Sequence, residues 1–252
     1  MKLLVINPNT TQSMTESIGE VARRAASPGT QIDAVSPEYG PRSIEGHLEE
    51  AIAAAATLEY LQKTRGQYDA VVIACYGDPA LFAARELLDV PVVGIAEASM
   101  LMACMVAHRF SIVTVLPRVK PLLEDLVKHH GLEARLASVR CTELSVLEIE
   151  EDPRVAERKL TAEARLALAE DNAEAILLGC AGMGPMDKSM QAALGVPVID
   201  GIGAAVTFAE SLLRYGVTTS KVAAFKTPEP KEYLGPSVFA APTLVGQGRG
   251  LR

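Results

Sequence analysis

The sequence is poor in the residues on which several classes of protein depend. It has no tryptophan, and aromatic residues make up only 4% of its 252 residues. Its four histidines form no H-E-x-x-H or comparable set, so we expect no metal. The four cysteines, Cys75, Cys104, Cys141 and Cys180, include no C-x-x-C pair, which argues against a zinc site or a disulfide framework. We therefore expect free thiols in a reducing compartment.

Clustered positive charge and long apolar runs are also lacking. There are 24 Lys and Arg residues against 31 Asp and Glu, and the formal net charge is −7. Because nucleic acids and anionic membranes bind clustered cations, we expect neither as a partner. No apolar run approaches the ~18 residues of a membrane helix, and the start "MKLLVINPNT" turns polar too early for a signal peptide. The sequence predicts a soluble, cytoplasmic protein that binds a small molecule.

What the sequence does contain is an alternation of short β-rich runs with longer runs rich in Ala, Leu and Glu. "KLLVIN" precedes a helical stretch near residues 11–26, and "QIDAVS" precedes one near 44–65, which "DAVVIAC" follows. Strand, crossover helix and strand in this order are typical of a parallel sheet, and the continuously apolar strands indicate a sheet covered on both faces. The predicted fold class is α/β.

The same order of elements then begins again. Pro8 and Pro117 are 109 residues apart, Cys75 and Cys180 are 105 apart, and Pro91 and Pro197 are 106 apart. This nearly constant offset predicts two related α/β halves. We assign residues 1–97 plus about 208–225 to the first half and 98–207 to the second. Residues 226–252, rich in Pro and Gly, are interpreted as an irregular or mobile tail.

Cys75 and Cys180 occupy equivalent places, each where an apolar strand ends. In parallel α/β sheets, ligands bind beyond the carboxyl ends of the strands. We expect a helix to start soon after each cysteine, with Asp78-Pro79 as N-cap and first helical residue, and with Gly184-Pro185 as a similar start. The positive end of a helix would lower a thiol pKa from ~8.5 toward neutrality, which suits a base.

The alternative is that these cysteines are small buried hydrophobic residues. For either cysteine alone, that interpretation is the better one. For two cysteines at equivalent strand ends of two related halves, chemistry is favoured. If the halves face each other across a cleft, the two sulfurs approach a ligand from opposite sides, which is the geometry of a racemase.

Four stretches together carry a family resemblance: "INPNTT" at 6–11, "GPRSIEGH" at 40–47, "ACYGDPAL" at 74–81 and "LGCAGM" at 178–183. As a set they resemble the hydantoin and allantoin racemases of the aspartate/glutamate racemase superfamily, over roughly residues 1–221. The resemblance implies two pseudo-symmetric parallel-sheet α/β domains with the active site in the cleft between them. It also implies a two-base mechanism without a cofactor, with Cys75 and Cys180 catalytic, and a homo-oligomer. Some hydantoin racemases carry C-F-D-D-T-G after the first cysteine, whereas "CYGDPA" here resembles another subgroup, in which we expect allantoin racemases. The hydantoin ring is therefore predicted, and its C5 substituent is not.

Removal of the C5 proton of a hydantoin gives an enolate, which hydrogen-bond donors can stabilise without a metal or pyridoxal phosphate. The candidate substrate-binding residues lie in the loops after the strands: Asn7, Tyr76, Gly77, Thr114, Ala181 and Gly182, with Asn9 as a further candidate donor beside the preferred Asn7. Asn7 would otherwise be a turn residue and Thr114 a strand residue with a satisfied hydroxyl. The loop "GPRSIEGH" is expected to reach the cleft, although Glu45 and His47 would equally suit a solvated loop.

Two other functions stay open at this point. One is another reaction of the superfamily, such as amino-acid racemisation or a maleate-isomerase-like step. An amino-acid substrate would require cations near its carboxylate, and the strand-end motifs contain none. The other is a non-catalytic α/β protein that binds a small molecule.

Overall fold

The computed structural model describes residues 1–233. The first part of the chain forms β1 (Lys2–Ile6), α1 (Gln12–Ala25), β2 (Gln31–Val35), α2 (His47–Lys63), β3 (Ala70–Ile73), α3 (Leu81–Leu87), β4 (Val92–Gly94) and α4 (Ile95–Val106). The second part forms β5 (Phe110–Thr114), α5 (Lys120–His129), β6 (Leu136–Cys141), α6 (Val146–Glu151), α7 (Pro153–Glu170), β7 (Ala175–Leu178), α8 (Asp187–Leu194), β8 (Val198–Ile199) and α9 (Gly201–Tyr215). Short 3₁₀ helices span Pro117–Val119, Glu133–Arg135, Ala181–Met186 and Ala223–Phe225. Of the predicted tail, residues 226–233 contain neither helix nor strand, and residues 234–252 lie outside the described residues.

The strands form two four-stranded parallel sheets with the same order. The first is β2-β1-β3-β4 and the second is β6-β5-β7-β8. In the first sheet Val5 lies opposite Ala34 and Val72, so β1 is a central strand. β5 takes the same central place between β6 and β7. The predicted fold class, α/β with two similar parallel-sheet halves, is confirmed.

Helices cover both faces of the first sheet because its strands are apolar throughout. Leu3 and Val5 contribute to one buried cluster, and Leu4 and Ile6 contribute to another on the opposite face. This is the alternation expected of a strand, whose successive side chains point to opposite faces. Burying a Leu, Ile or Val side chain contributes about 1.5–3 kcal/mol, so such strands strongly favour a doubly covered position.

The last helix of each half crosses to the other half. α4 follows β4 of the first sheet but packs against β7 of the second, and α9 follows β8 but packs against β3 and β4. The two helices also pack against each other at their starts, where a Cβ on Gly201 would lie 2.7 Å from the carbonyl oxygen of Ile95. Only glycine fits there. The predicted domain boundaries, 97/98 and 207/208, fall inside these two helices, and the division into halves stays a prediction.

No helix within residues 1–233 combines the length and the apolar character that crossing a membrane requires.

Candidate active site

The carboxyl ends of the two sheets border one cavity of about 60 Å³. One water molecule needs ~10–15 Å³, so the cavity suits a small molecule. Cys75 enters its wall from the first half and Cys180 from the second. The other lining residues are Asn9, Met14, Ile44, Gly46, Glu50, Ala74, Tyr76, Gly77, Thr114, Val115, Val119, Leu122, Leu123, Val146, Gly179 and Ala181. The structure therefore brings together the two cysteines that the sequence singles out.

Each cysteine begins a turn of the same geometry. The backbone N–H of Gly77 donates a hydrogen bond to the sulfur of Cys75, and that of Gly182 donates to the sulfur of Cys180. In both cases the donor lies two residues after the cysteine. A hydrogen bond of this kind favours the thiolate over the thiol, so each half provides its sulfur with the same local stabilisation.

The residue directly after each cysteine has a free backbone donor. The carbonyl of Cys75 accepts from the backbone N–H three residues later at 2.9 Å, and that of Cys180 does so at 3.1 Å. Within the described residues, the backbone N–H groups of Tyr76 and Ala181, which lie between, have no acceptor. Both residues line the cavity.

The predicted lowering of the two thiol pKa values is wrong. Burial raises the pKa of the Cys75 thiol far above its ordinary value, and the Gly77 donor offsets only part of this rise. Burial likewise raises the pKa of Cys180 to about 11, against the N–H of Gly182. The negative charge of Glu50 adds to the rise at Cys75. Both sulfurs therefore rest as protonated thiols at neutral pH.

The physical reason is the desolvation of both sulfurs, and no α-helix begins where the sequence predicted one to oppose it. α3 starts only at Leu81, and α8 starts at Asp187, so neither helix presents its positive end to a sulfur. Asp78 does not cap α3, and its carboxylate accepts N–H groups of Ala96 at 3.1 Å and Glu97 at 2.9 Å, at the start of α4. Asp78 therefore accepts helix N–H groups, as a capping residue does, but they belong to α4 and not to α3.

In the second half an aspartate also caps the corresponding helix, α9. The aspartate and the glycine that makes room for it have exchanged sequence positions relative to the first half. Asp200 accepts two backbone N–H groups at the start of α9. Asp78 and Gly94 correspond, at an offset of 106, to Gly184 and Asp200. A Cβ on Gly94 would lie 2.3 Å from the Cγ of Asp78, and one on Gly184 would lie 3.0 Å from an oxygen of Asp200. Each carboxylate thus uses space that a glycine leaves open, and burial raises the pKa of Asp78 to about 7 and of Asp200 to about 6.

The loop after β1 presents Asn9 to the cavity, with Asn7 behind it. The side-chain amide of Asn7 donates to Asn9 Oδ1 and to Thr15 Oγ1, each at 2.9 Å. Asn9 Nδ2 in turn approaches the sulfur of Met14 at 3.1 Å. Asn7 is not among the lining residues, so its contacts hold Asn9 in place. Direct binding of substrate by Asn7 stays a prediction, and the structure offers Asn9 as the nearer group.

Thr114 and Tyr76 both line the cavity, but their hydroxyl groups are engaged elsewhere. Thr114 is fully buried and donates to the carbonyl of Gly179 at 2.9 Å. The hydroxyl of Tyr76 lies 2.8 Å from that of Ser99, which itself donates to a helix carbonyl. Thr114 can therefore offer a ligand only its oxygen as an acceptor, whereas the sequence suggested it as a donor.

The loop 40–47 closes one side of the cavity. Ile44 and Gly46 line it. Glu45 is half-buried and accepts the backbone N–H of Val146, in the second half, at 2.8 Å. His47 is exposed at the start of α2. The loop therefore reaches the cleft, as predicted, and connects the two halves across it.

Glu50 is the ionisable side chain in the cavity wall that the sequence analysis did not single out. It lies in the first turn of α2, where its N–H donates to the carbonyl of Gly46 at 3.0 Å. Burial raises its pKa, and the charge of His47 opposes that rise. In the sequence, Glu50 stands beside Glu49 in an alanine-rich helix, and only its position one turn after the loop 40–47 could have marked it. No Lys, Arg or His of residues 1–233 joins it in the cavity wall.

Comparison with known proteins relates the whole of this architecture to one family. A sequence model described as Asp/Glu/Hydantoin racemase matches residues 3–209. A hydantoin racemase of Pseudomonas sp. (strain NS671) is 52% identical over 236 residues, which are 93% of this chain and 95% of that protein. The structure of an allantoin racemase from Klebsiella pneumoniae has 48% identity and a TM-score of 0.91, covering 93% of this chain and 96% of that one. An allantoin racemase from Pseudomonas fluorescens, at 47% identity and a TM-score of 0.91, covers 93% of this chain and all of that one.

Proposed function

The chain belongs to the Asp/Glu/Hydantoin racemase family, and we propose that this enzyme interconverts the two enantiomers of 5-substituted hydantoins, with allantoin as a candidate substrate. Similar proteins are named for both kinds of substrate, and allantoin is itself a hydantoin with a ureido group at C5. One observation carries the proposal: Cys75 and Cys180, from opposite halves, line one small cavity, and each is the first residue of a matching turn.

The proposed reaction needs two bases and moves only protons. One cysteine, as the thiolate, removes the proton from C5 and becomes a thiol. The other, as the thiol, gives its proton to the opposite face of C5 and becomes a thiolate. The configuration at C5 is inverted and no other bond changes, so the reaction as proposed requires no cofactor.

The resting protonation state assigns different starting roles to the two sulfurs. The pKa of Cys180 is about 11, and burial raises that of Cys75 further above the ordinary value. Loss of one proton therefore forms the thiolate mainly at Cys180, where the N–H of Gly182 stabilises it. We infer that Cys180 is the base of the more abundant active form and Cys75 its acid.

The enolate formed at C5 also needs stabilisation, and the free N–H groups of Tyr76 and Ala181 are positioned to supply it. Donors that are already oriented cost no reorganisation when charge develops on the carbonyl oxygen. Gly77 and Gly182 have a separate role, since their N–H groups are used by the sulfurs. Of the four residues after the cysteines that were predicted to bind substrate, we assign the N–H groups of Tyr76 and Ala181 to the substrate. The N–H groups of Gly77 and Gly182 are assigned to the thiolates.

The composition of the cavity wall disfavours an amino-acid substrate. The carboxylate of an amino acid would face Glu50, and no Lys or Arg of residues 1–233 lines the cavity wall. Like charges at short range in a partly desolvated site repel strongly. A neutral ring with N–H donors meets no such penalty.

The test is polarimetry of the purified protein with L- and D-forms of a 5-alkyl hydantoin and of allantoin, in D₂O, with and without a chelator. We expect rotation to decay from either enantiomer and deuterium to enter at C5. Cys75→Ser and Cys180→Ser should each abolish racemisation, because an alcohol is a much weaker acid than a thiol. Each variant should retain slow exchange for only one enantiomer, and the exchanging enantiomer should differ between the two.

Cys104→Ser and Cys141→Ser are matched controls, because neither cysteine lines the cavity. Both should racemise at the unaltered rate. Absence of decay and of exchange with every hydantoin would overturn the proposed function. Racemisation that survives loss of either Cys75 or Cys180 would overturn the two-base mechanism alone.

The homo-oligomeric state and the cytoplasmic location expected from the sequence also stand as proposals. Exposed apolar side chains on α4, Met105 at 76% and Val106 at 58%, are consistent with contact between copies. Analytical ultracentrifugation of the full chain tests the oligomer, and a monomer at micromolar concentration would contradict it.

A further inference from the structure

A wider groove opens beside the cavity that holds the two cysteines. Its volume is about 480 Å³, and it shares Glu50, Gly77 and Leu122 with the cavity wall. Its remaining surface is a mixture of small apolar residues with polar groups, including Ala51, Ala54, Pro79, Phe82, Asp125 and His129. Since the inner cavity is small, a ring bound between the sulfurs would direct a large C5 substituent into this groove. This inference rests on the proposed function.

Glu50 lies at the junction of the cavity and the groove. Its carboxylate is directed at Gly77, because a Cβ at that glycine would lie only 2.7 Å from Glu50 Oε1. Gly77 is two residues from Cys75, so the carboxylate stands close to one of the two sulfurs. The absent side chain of Gly77 is therefore what admits Glu50 to the site.

The carboxylate of Glu50 has unused hydrogen-bonding capacity. Within residues 1–233 it accepts no hydrogen bond and forms no ion pair, although the charge of His47 opposes the rise in its pKa. By contrast, the other carboxylates of the two strand-end loops, Asp78 and Asp200, each accept two backbone N–H groups. The Glu50 side chain is half-buried and its oxygens are not fully enclosed, so a ligand in the groove can supply the missing donor.

We propose that Glu50 accepts hydrogen bonds from N–H groups on the C5 substituent, and that it thereby selects hydantoins with a hydrogen-bond-donating substituent over 5-alkyl hydantoins. The ureido group of allantoin carries such donors, and hydrogen bonds from N–H to a carboxylate are the stronger kind. An alkyl substituent would cover the carboxylate without pairing it. Glu50 is in this sense a specificity-determining residue.

The experiment compares kcat/KM for allantoin and for 5-isopropylhydantoin in the wild-type protein, Glu50→Leu and Glu50→Gln. The wild-type protein should prefer allantoin. Loss of a hydrogen bond to a charged group should lower the ratio of the two kcat/KM values about 10- to 100-fold in Glu50→Leu. Glu50→Gln retains one acceptor oxygen and should fall between. Glu20→Gln removes a similar charge from an exposed position on α1 and should leave the ratio unchanged.

Each other outcome overturns a defined part of the argument. Equal losses on both substrates would mean that Glu50 contacts the ring or acts on Cys75, and the specificity role would be wrong. An unchanged ratio in Glu50→Leu, or a wild-type preference for the alkyl substrate, would also overturn it. If the wild-type protein racemised neither compound, the proposed function itself would fail.

Discussion

On the proposed two-cysteine mechanism, racemisation should accelerate steeply with pH, because burial keeps both sulfurs as thiols at neutral pH. The pKa of Cys180 is about 11. From that value, the thiolate is roughly 10⁻⁴ of the protein near pH 7 and roughly 10⁻² near pH 9, and the rate follows the fraction in the correct protonation state. Over this interval kcat/KM should therefore rise about 100-fold, or tenfold per pH unit. The pKa of Cys75 is raised further, so the acid stays protonated throughout.

The assay is the initial rate of polarimetric decay from each pure enantiomer, with the enzyme-free rate subtracted at every pH. Because the equilibrium constant of a racemisation is one, the two enantiomers must give equal kcat/KM at each pH. Ultraviolet thiolate absorbance of the wild-type protein, compared with Cys180→Ser, reports the resting titration independently. If the thiolate absorbance of the two proteins differs only well above neutral pH, the result agrees with a buried Cys180 thiol.

Two results would refute the reasoning. A rate that does not change above neutral pH would mean that the thiolate is already formed, so that burial does not control Cys180. A rate that falls between about pH 7 and pH 9 would mean that a required acid titrates there, which a Cys75 thiol with a strongly raised pKa does not do.

Two further predictions concern the turns around the site. Asp78→Gly removes two hydrogen bonds at the start of α4 and should lower the free energy of unfolding by about 1–2 kcal/mol. Adding Gly94→Asp copies the arrangement of Gly184 and Asp200 in the second half and should restore most of the lost free energy of unfolding, measured by urea denaturation. If the double variant is no more stable than Asp78→Gly, the two positions are not interchangeable and the reasoning is wrong. Gly179→Ala places a Cβ 2.7 Å from that of Thr114 and should cost about 1–3 kcal/mol with loss of activity. In Gly182→Ala the added Cβ lies 3.9 Å from its nearest neighbour and the N–H is retained, so this variant should stay stable and active. If Gly182→Ala were less stable than Gly179→Ala, the packing argument would be wrong.

The fold was predictable because its signals are local and repeated. The strand of residues 70–73 is a continuous apolar run, and its counterpart at 175–178 stands at nearly the same offset as the cysteines that follow them. A continuous apolar run of this length, bounded by turn-forming residues, is typical of a doubly covered parallel strand. The predicted helices near 11–26 and 44–65 were correspondingly found at Gln12–Ala25 and His47–Lys63.

The site was predictable only in part, since its properties depend on contacts between segments distant in the chain. Asp78 is a good cap by residue type, but the helix it caps starts 17 residues later in the sequence. Asn7 and Asn9 are equivalent as residue types, and only the position of the cavity distinguishes the lining residue from its support. Glu50 belongs to an unremarkable helical run, and a glycine in another loop admits it to the site.

The sequence by itself determined which residues form strands and helices, that the pattern is repeated, and that two cysteines occupy equivalent strand ends. These follow from hydrophobic periodicity and turn-forming residues, which act over a few positions. The tertiary structure alone decided the exchange of α4 and α9 between halves, the raised pKa of both thiols and the presence of an unpaired carboxylate beside them. Those depend on burial and on through-space neighbours, because desolvation and hydrogen bonding are set by what surrounds a group and not by what precedes it in the chain.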